Sequence, residues 1–535
     1  MNMSLKRFAQ VLALIAVVSI IAYVVRYHNI SHDSSLDERM QLEPYQKGMD
    51  LRAVFETFPQ WRDGLTDLRL LQDNALAWAA RWELLQQATQ HLDISYFILK
   101  EDIFGLAFLG HLLEKAEQGV QVRVLLDGYG SRLSRRPQGN DYIDTLVNTG
   151  RVDIRLYRPL LNRALDGVIS GSLSVMVASE HDKVLVADQR RAIIGGRNIA
   201  TEYFAAPGEA DTVFIDLGVD VDDTGVGQAL VVAFEAQYFS ERAHTEPREV
   251  VDMQSQRRDL HLAYQMMDAW LRQGTFSDSL QTSINEHEKG SRWQTELEQF
   301  QSLRGRLKDG LGAFDRAQVR VLDSTTRLAT STDPISEAGI RLLAASRASV
   351  LIQNPFVVLA QETVDALAQT VAHEVPVNLL TNSPVSAKSV FSQAFFLRQW
   401  AHLLAAVPTL TLYGNATDEM IHAKLAVFDG VLSLVGTYNL SPLSMGTNSE
   451  VMLAIWSEDI ASRLAAPVKQ MIASGEPAVY QYSIKRDSQD RPLLDDNGNP
   501  VADLGPLDHF DLSSKPKLRA LLTALELMPG ESPFF

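Results

Sequence analysis

His181, Lys183 and Asp188 recur as His422, Lys424 and Asp429, and an asparagine follows each histidine by seventeen residues, as Asn198 and Asn439. One HxKxxxxD match in a chain of 535 residues is a weak signal, since three fixed positions coincide by chance. Two copies that share their flanks are a strong one. The flanks read HDKVLVADQRRAIIGGRNI and HAKLAVFDGVLSLVGTYNL; in both, an apolar run carries the motif, the aspartate closes it, and a second apolar run ends in glycine, a variable pair and asparagine. Residues two apart on a strand face the same side, so each histidine projects together with its lysine. An imidazole titrates near neutrality and can attack or carry a proton, while an ammonium offers fixed positive charge to phosphate oxygens. The pair suits phosphoryl chemistry. With two such lobes facing each other, one histidine serves as nucleophile and the other as general acid, which divides one displacement into two easier steps. Lys183, Lys424, Asn198 and Asn439 would then surround the phosphate.

The elements around the motifs repeat as well. LDISYFIL, a helix and VQVRVLLDG answer ASVLIQNPF, a helix and VPVNLLTNS, and VDIRLYRP ahead of the first motif is echoed by TLTLYGN ahead of the second. The repeat unit is therefore a whole lobe. On these motifs and flanks, from about residue 92 to about residue 456, the chain resembles the phospholipase D superfamily, in which two HxKxxxxD repeats form one active site, and within it the bacterial cardiolipin synthases. The resemblance implies an α/β fold of two pseudo-twofold-related lobes, each a mixed sheet flanked by helices. It implies His181 as the nucleophile that becomes phosphohistidine and His422 as the acid that protonates the leaving alcohol. Lys183, Lys424, Asn198 and Asn439 would hold the non-bridging oxygens. Asp216 in VFIDLGVDV and Glu450 in TNSEVMLAIW occupy the places of the acidic residues that orient the imidazoles. Asp188 and Asp429, although part of the catalytic motif, are expected to close the strands that carry it.

Two departures accompany the resemblance. Where many relatives carry basic residues before the first histidine, this chain has SEHDK, and Glu180 and Asp182 add negative charge that opposes phosphate. The second motif is followed by Gly430 and the first by Gln189. The paired glycines 195 and 196 fit a tight turn that presents Asn198.

Other chemistries find little support. There is no HExxH, no GxxxxGK and no GxSxG, and the chain has no cysteine, which removes thiolate metal sites and thiol nucleophiles. Neither metal nor cofactor is called for. Glu286, His287 and Glu288 form a candidate ligand cluster, better read as the solvated face of a polar helical segment. A net charge of −17 argues against a broad nucleic-acid contact, which depends on many basic residues at phosphates. FGLAFLGHLL and VFSQAFFLRQW are expected as amphipathic core helices, the alternative being the wall of an acyl groove.

At the N-terminus, Lys6 and Arg7 precede an apolar stretch over residues 8–25, closed by Arg26. At about 1.5 Å per residue such a helix reaches ~27 Å, near the ~30 Å of a bilayer core. No A-x-A cleavage site ends it, so an uncleaved single-pass anchor is expected, with a cytoplasmic N-terminus and a catalytic body facing the periplasm or the exterior of a bacterial inner membrane. The expected organisation is an anchor at 1–26, a polar stalk at 27–50, a first lobe at 51–240, a helical insert or connector at 241–312, a second lobe at 313–480 and a C-terminal extension at 481–535. Because both motifs lie in one chain, a monomer suffices for one site. The resulting expectation is a membrane-anchored phosphatidyltransferase that takes a phospholipid substrate and makes cardiolipin from phosphatidylglycerol and a second phospholipid. A hydrolase releasing phosphatidic acid, a nucleic-acid phosphodiesterase of the same superfamily and an inactive scaffold are the alternatives.

Overall fold

The computed structural model describes residues 40–131, 141–170, 173–240, 242–245, 253–325 and 333–526. The expected anchor and the stalk up to residue 39 lie outside them; among the described residues no helix is long and apolar enough to cross a membrane.

The strands of the first half are β1 Thr66–Leu71, β2 His91–Tyr96, β3 Gln121–Asp127, β4 Val152–Tyr157, β5 Lys183–Ala187, β6 Arg191–Gly195, β7 Phe214–Ile215, β8 Gly218–Asp222 and β9 Ala243–Thr245. Those of the second are β10 Asp315–Ser324, β11 Val350–Gln353, β12 Val377–Asn382, β13 Leu410–Asn415, β14 Met420–Ile421, β15 Leu425–Phe428, β16 Leu432–Gly436, β17 Glu450–Trp456, β18 Val479–Ile484 and β19 Ala502–Leu504. The first half pairs in the order β9, β4, β3, β2, β5, β6, β8, β1. The second repeats it as β18, β13, β12, β11, β15, β16, β17, β10. In each, the three strands joined by crossover helices are parallel and the rest antiparallel. Pseudo-twofold mates β1 and β10 pair antiparallel and so join the two sheets, Thr66 opposite Ala317 and Leu68 opposite Asp315.

Strands buried on both faces read as unbroken apolar runs, and VLVA of β5 is one. Val184 and Val186 face the core between the lobes, together with Leu425 and Val427 of β15. Leu185 and Ala187 face the outer core of the first lobe, as Phe428 faces that of the second. Helices cover the outer faces. Asp73, Asp102 and Asp333 start three of them by accepting hydrogen bonds from the backbone N–H groups of Leu76, Gly105 and Ser336, a cap that contributes about 1 kcal/mol each.

FGLAFLGHLL lies in the helix Ile103–Glu117 and is buried throughout. VFSQAFFLRQW lies in Val390–Ala406, packed between the second sheet and the helix Pro516–Glu526. Both are core helices. In the 241–312 segment, the helices Gln254–Arg272, Asp278–Glu286 and Gly290–Glu298 add Leu260, Met266, Trp270 and Trp293 to the first lobe's core. The backbone of Leu260 comes so near Gly110 that a Cβ there would stand 2.1 Å from its carbonyl oxygen, so only glycine fits. Past residue 480, β18 continues to Ile484 as an edge strand of the second sheet and carries β19 as a hairpin partner.

Candidate active site

The histidines stand just outside the strands expected to carry them. β5 begins at Lys183 and β15 at Leu425, leaving His181 and His422 on the approach. The opposite lobe fixes them instead. His181 donates its backbone N–H to Ser449 Oγ at 3.1 Å, and its Nδ1 lies 2.9 Å from Glu450 Oε2. His422 donates its N–H to the carbonyl oxygen of Ile215 at 2.7 Å, and its Nδ1 lies 2.7 Å from Asp216 Oδ2. The short pairing of β7 with β14 and the bridge from Glu180 to Ser449 lock these approaches in place. Each imidazole is thus braced by a carboxylate from the other lobe. A carboxylate on Nδ1–H leaves Nε2 unprotonated in the neutral ring, available to attack or to take a proton.

The lysines lie alongside. Lys183 Nζ donates to the His181 carbonyl at 2.6 Å, and Lys424 Nζ to that of His422 at 2.5 Å. Lys424 Nζ is also 3.4 Å from His422 Nε2. All four side chains are nearly buried, and each lysine acts on the imidazoles of both lobes, so the two motifs share one electrostatic site. Rings wall it: Phe97 stands edge-on to His181, Phe214 stacks on His422, and Tyr203 meets His422 edge-on.

Asn198 and Asn439 differ. The Asn198 Oδ1 accepts the N–H of Ile98 at 2.9 Å and its Nδ2 donates to Tyr203 Oη at 2.9 Å. Asn439 Oδ1 is buried with no protein partner.

The two carboxylates differ as well. Burial raises Asp216, but His422, Lys424 and Arg197 outweigh it and hold the group down at about 2. Burial dominates at Glu450 and pushes it up to about 7, against Lys183 and the hydroxyls of Ser444 and Thr437. Burial and the lysines lower His181 well below its ordinary value. The same forces bring His422 down to about 4, opposed by Asp216. Burial also lowers Lys424 to about 7.

Glu180 and Asp182 correct an expectation. Both are buried, and burial raises both, Glu180 well up and Asp182 to about 7. Neighbouring carboxyl groups also oppose their ionisation, Asp182 acting on Glu180 and Glu450 on Asp182, so the flank carries less negative charge at neutral pH than two free carboxylates would.

Asp188 and Asp429 stand away from the imidazoles, at the far ends of β5 and β15. Asp188 accepts hydrogen bonds from the backbone N–H groups of Thr89, Gln90 and His91 and from the Thr89 hydroxyl. Asp429 accepts from Arg347, Ala348 and Ser349. Each ties the end of its strand to the start of the neighbouring one. Gln189 adopts φ +56°, close to the +67° of Gly430, so the glycine is replaced without a change of turn. In the third cluster Glu286 and Glu288 are exposed, whereas His287 pairs with the buried Asp259 at 3.0 Å and stacks on Trp293.

Residues outside the HxKxxxxD motifs complete the site. A Cβ on Gly196 would stand 2.2 Å from Asp216 Oδ1. The matching Thr437 instead donates its hydroxyl to Glu450 at 2.5 Å. The variable pair in the two flanks is thus matched to a short carboxylate in one lobe and a long one in the other. Arg197, fully buried, donates to the carbonyls of Leu71 and Asp216 and to Asn74 Oδ1.

Fold and site together define a two-lobed α/β protein of the phospholipase D type, with two cross-braced imidazoles in one site. A family model described as "Cardiolipin synthase, PLD-like domain" matches residues 82–218 and 340–472, and the chain belongs to that family. It is 26% identical over 451 residues to cardiolipin synthase C of Escherichia coli (strain K12), covering 78% of this chain and 86% of that protein. It is 23% identical over 404 residues to the major cardiolipin synthase ClsA of Bacillus subtilis (strain 168), covering 75% and 68%. Among solved structures, phosphatidylserine synthase of Haemophilus influenzae Rd KW20 shares the fold, with a TM-score of 0.55 at 12% identity over 87% of this chain and 95% of that one.

Proposed function

We propose that the protein is a membrane-tethered phosphatidyltransferase that works through phosphohistidine and makes cardiolipin from phosphatidylglycerol and a second phospholipid. The crossed bracing of His181 by Glu450 and His422 by Asp216 carries the reading. His181 Nε2 attacks the phosphorus of the donor phosphodiester, forming a P–N bond as the P–O bond to the head-group alcohol breaks. The imidazolium of His422 gives that alcohol its proton. The acceptor hydroxyl then loses its proton to His422, and its oxygen displaces His181 from phosphorus.

The unequal carboxylates support this division of labour. Asp216, ionised well below neutrality, stabilises an imidazolium at His422, as a general acid requires. Glu450, the weaker acid of the two, stabilises an imidazolium less, and in its ionised form it accepts the Nδ1 proton of a neutral His181, leaving Nε2 free as a nucleophile requires. An incoming phosphodiester anion adds negative charge between the lysines and raises both imidazoles. Lys183 and Lys424 hold its non-bridging oxygens, with Asn439 as a further phosphate ligand, and Asn198 contributes through Tyr203.

Lipid fits better than nucleic acid. The exposed side chains of Leu160, Leu161, Leu165, Val168, Met176 and Val177 lie on the helices Leu160–Ser170 and Leu173–Val177, which lead directly to Ser179 and His181. This apolar rim suits a bilayer surface and offers nothing to a phosphate backbone. The apolar stretch at residues 8–25 keeps the body at the membrane, which raises the local lipid concentration.

Mass spectrometry of products from purified protein in mixed micelles of phosphatidylglycerol and phosphatidylethanolamine tests the reading. Cardiolipin is expected, and lost in His181→Asn. Phosphatidic acid alone would make the protein a hydrolase, and absence of any lipid product would overturn the reading.

A further inference from the structure

The second lobe holds a cavity that the first lobe has filled. It lies between the helix Pro334–Ala345 and the sheet, with a volume of about 90 Å³. Its wall is mostly apolar and includes Ile340, Leu343, Leu434 and Met452; Lys424 is part of it. A mostly apolar recess of this scale offers water few partners and favours a hydrocarbon guest.

The pseudo-twofold shows what fills the matching place in the first lobe. Asn74–Gln87 and Pro334–Ala345 end alike: Ala88 bonds back to the carbonyl of Leu84 and Ser346 to that of Leu342, and the next residues are caught by Asp188 and Asp429. This register sets Trp78 against Ser336, Arg81 against Gly339 and Trp82 against Ile340. The strand register, Tyr96 opposite Lys183 and Gln353 opposite Leu425, sets Tyr96 against Asn354. In the first lobe Trp78, Arg81, Trp82 and Tyr96 are all fully buried, with Arg81 donating to the Tyr96 hydroxyl at 3.2 Å. In the second lobe smaller side chains stand at these four places, and nothing lies within 4 Å of where a Gly339 Cβ would be.

We infer that this cavity is a subsite for the first methylenes of one acyl chain of the phospholipid whose phosphate is held at Lys424. The inference rests on the phosphatidyl-transfer reading above. An acyl chain begins only a few bonds from its phosphate, and Lys424 belongs both to the phosphate site and to the cavity wall. A hydrocarbon occupant also accounts for a wall whose one charged group is the phosphate-binding lysine. The bound lipid is therefore held asymmetrically, by the second lobe and not the first.

Gly339→Leu sets its Cβ in open space beside the cavity and removes a glycine from a helix interior, and Ile340→Trp restores the bulk that the first lobe carries. The test compares kcat/KM for soluble dihexanoyl phosphatidylglycerol with that for deacylated glycerophosphoglycerol, using the full-length protein. The ratio is expected to fall at least tenfold in Gly339→Leu, the scale set by about three buried methylenes, with the melting temperature retained or raised. Ile340→Trp is expected to follow it. An unchanged ratio in either variant with its melting temperature retained would overturn the subsite. If wild-type protein turns over neither substrate nor dioleoyl phosphatidylglycerol in mixed micelles, the transferase reading itself fails, and the subsite with it.

Discussion

Of the carboxylates that brace the imidazoles and the lysines beside them, Glu450 and Lys424 are held near neutrality, and their charges change in opposite senses. Glu450, pushed up to about 7, gains its charge as pH rises; Lys424, brought down to about 7, loses its own. The rate therefore peaks near pH 7 and falls on both sides, with limits that belong to the coupled cluster and not to either group alone. Lys424→Arg keeps a positive charge at every accessible pH, so its pH–rate profile is expected to lose the alkaline limb, at a lower maximum. An unmoved alkaline limb would remove Lys424 from this role. Glu450→Gln is expected to flatten the acid limb and lower kcat roughly 10²-fold, the scale of one acid–base contribution. Much of this was legible: duplication singles out His181 and His422, and the family resemblance points to the acidic residues downstream. The matching of Gly196 to Asp216 and Thr437 to Glu450 was not, since nothing along the chain says how long a carboxylate must reach across a lobe boundary. Nor was the raised pair Glu180 and Asp182, which depends on their burial.

At the level of strands and helices, Asp188 and Asp429 are fasteners. Each satisfies three backbone N–H groups at the start of a neighbouring strand. Replacing Asp188 with alanine leaves those donors without their acceptor and is expected to cost about 1–3 kcal/mol, read from the urea midpoint. Its backbone hydrogen bonds hold the Asp188 carboxyl below the usual range, against burial. Its contribution is therefore present above the ordinary carboxylate pKa and lost as pH falls through the lower folded value. A variant with unchanged stability but abolished turnover would contradict this and return Asp188 to the chemistry. The repeated strands were readable from their apolar runs. The placement of each histidine before its strand was not, because it is set from the other lobe, by Ser449 for His181 and by the pairing of β7 with β14 for His422, which no local period reports. The filled and open versions of one helix position, Arg81 and Gly339, are visible only once the two lobes are registered against each other.

At the scale of the molecule, the halves are joined at β1 and β10 and share one site, so neither lobe carries a complete active centre. The apolar rim formed by Leu160–Ser170 and Leu173–Val177 lies next to that centre. Leu161→Asp with Val168→Asp changes two strongly exposed side chains, 72% and 83% accessible, and is expected to spare stability. Turnover of phosphatidylglycerol in vesicles should fall about tenfold or more, as two apolar groups no longer enter the interface. Turnover of soluble short-chain lipid should hold. Equal losses on both substrates would assign the rim to folding and not to membrane contact. The rim escaped the sequence reading because LLNRALDGVIS, with its buried arginine and aspartate, reads as an ordinary amphipathic helix until its outward face is seen.

The central claim is that His181 carries the phosphatidyl group. A phosphatidyl substrate with a p-nitrophenol leaving group needs no acid for the first step, and His422→Asn lacks the base that activates the acceptor in the second. Peptide mass spectrometry of this variant, quenched after reaction, is expected to find the phosphatidyl adduct on His181 and none in His181→Asn. An adduct on His422 of the wild-type chain, or a full product burst with no adduct on either histidine, would contradict the account.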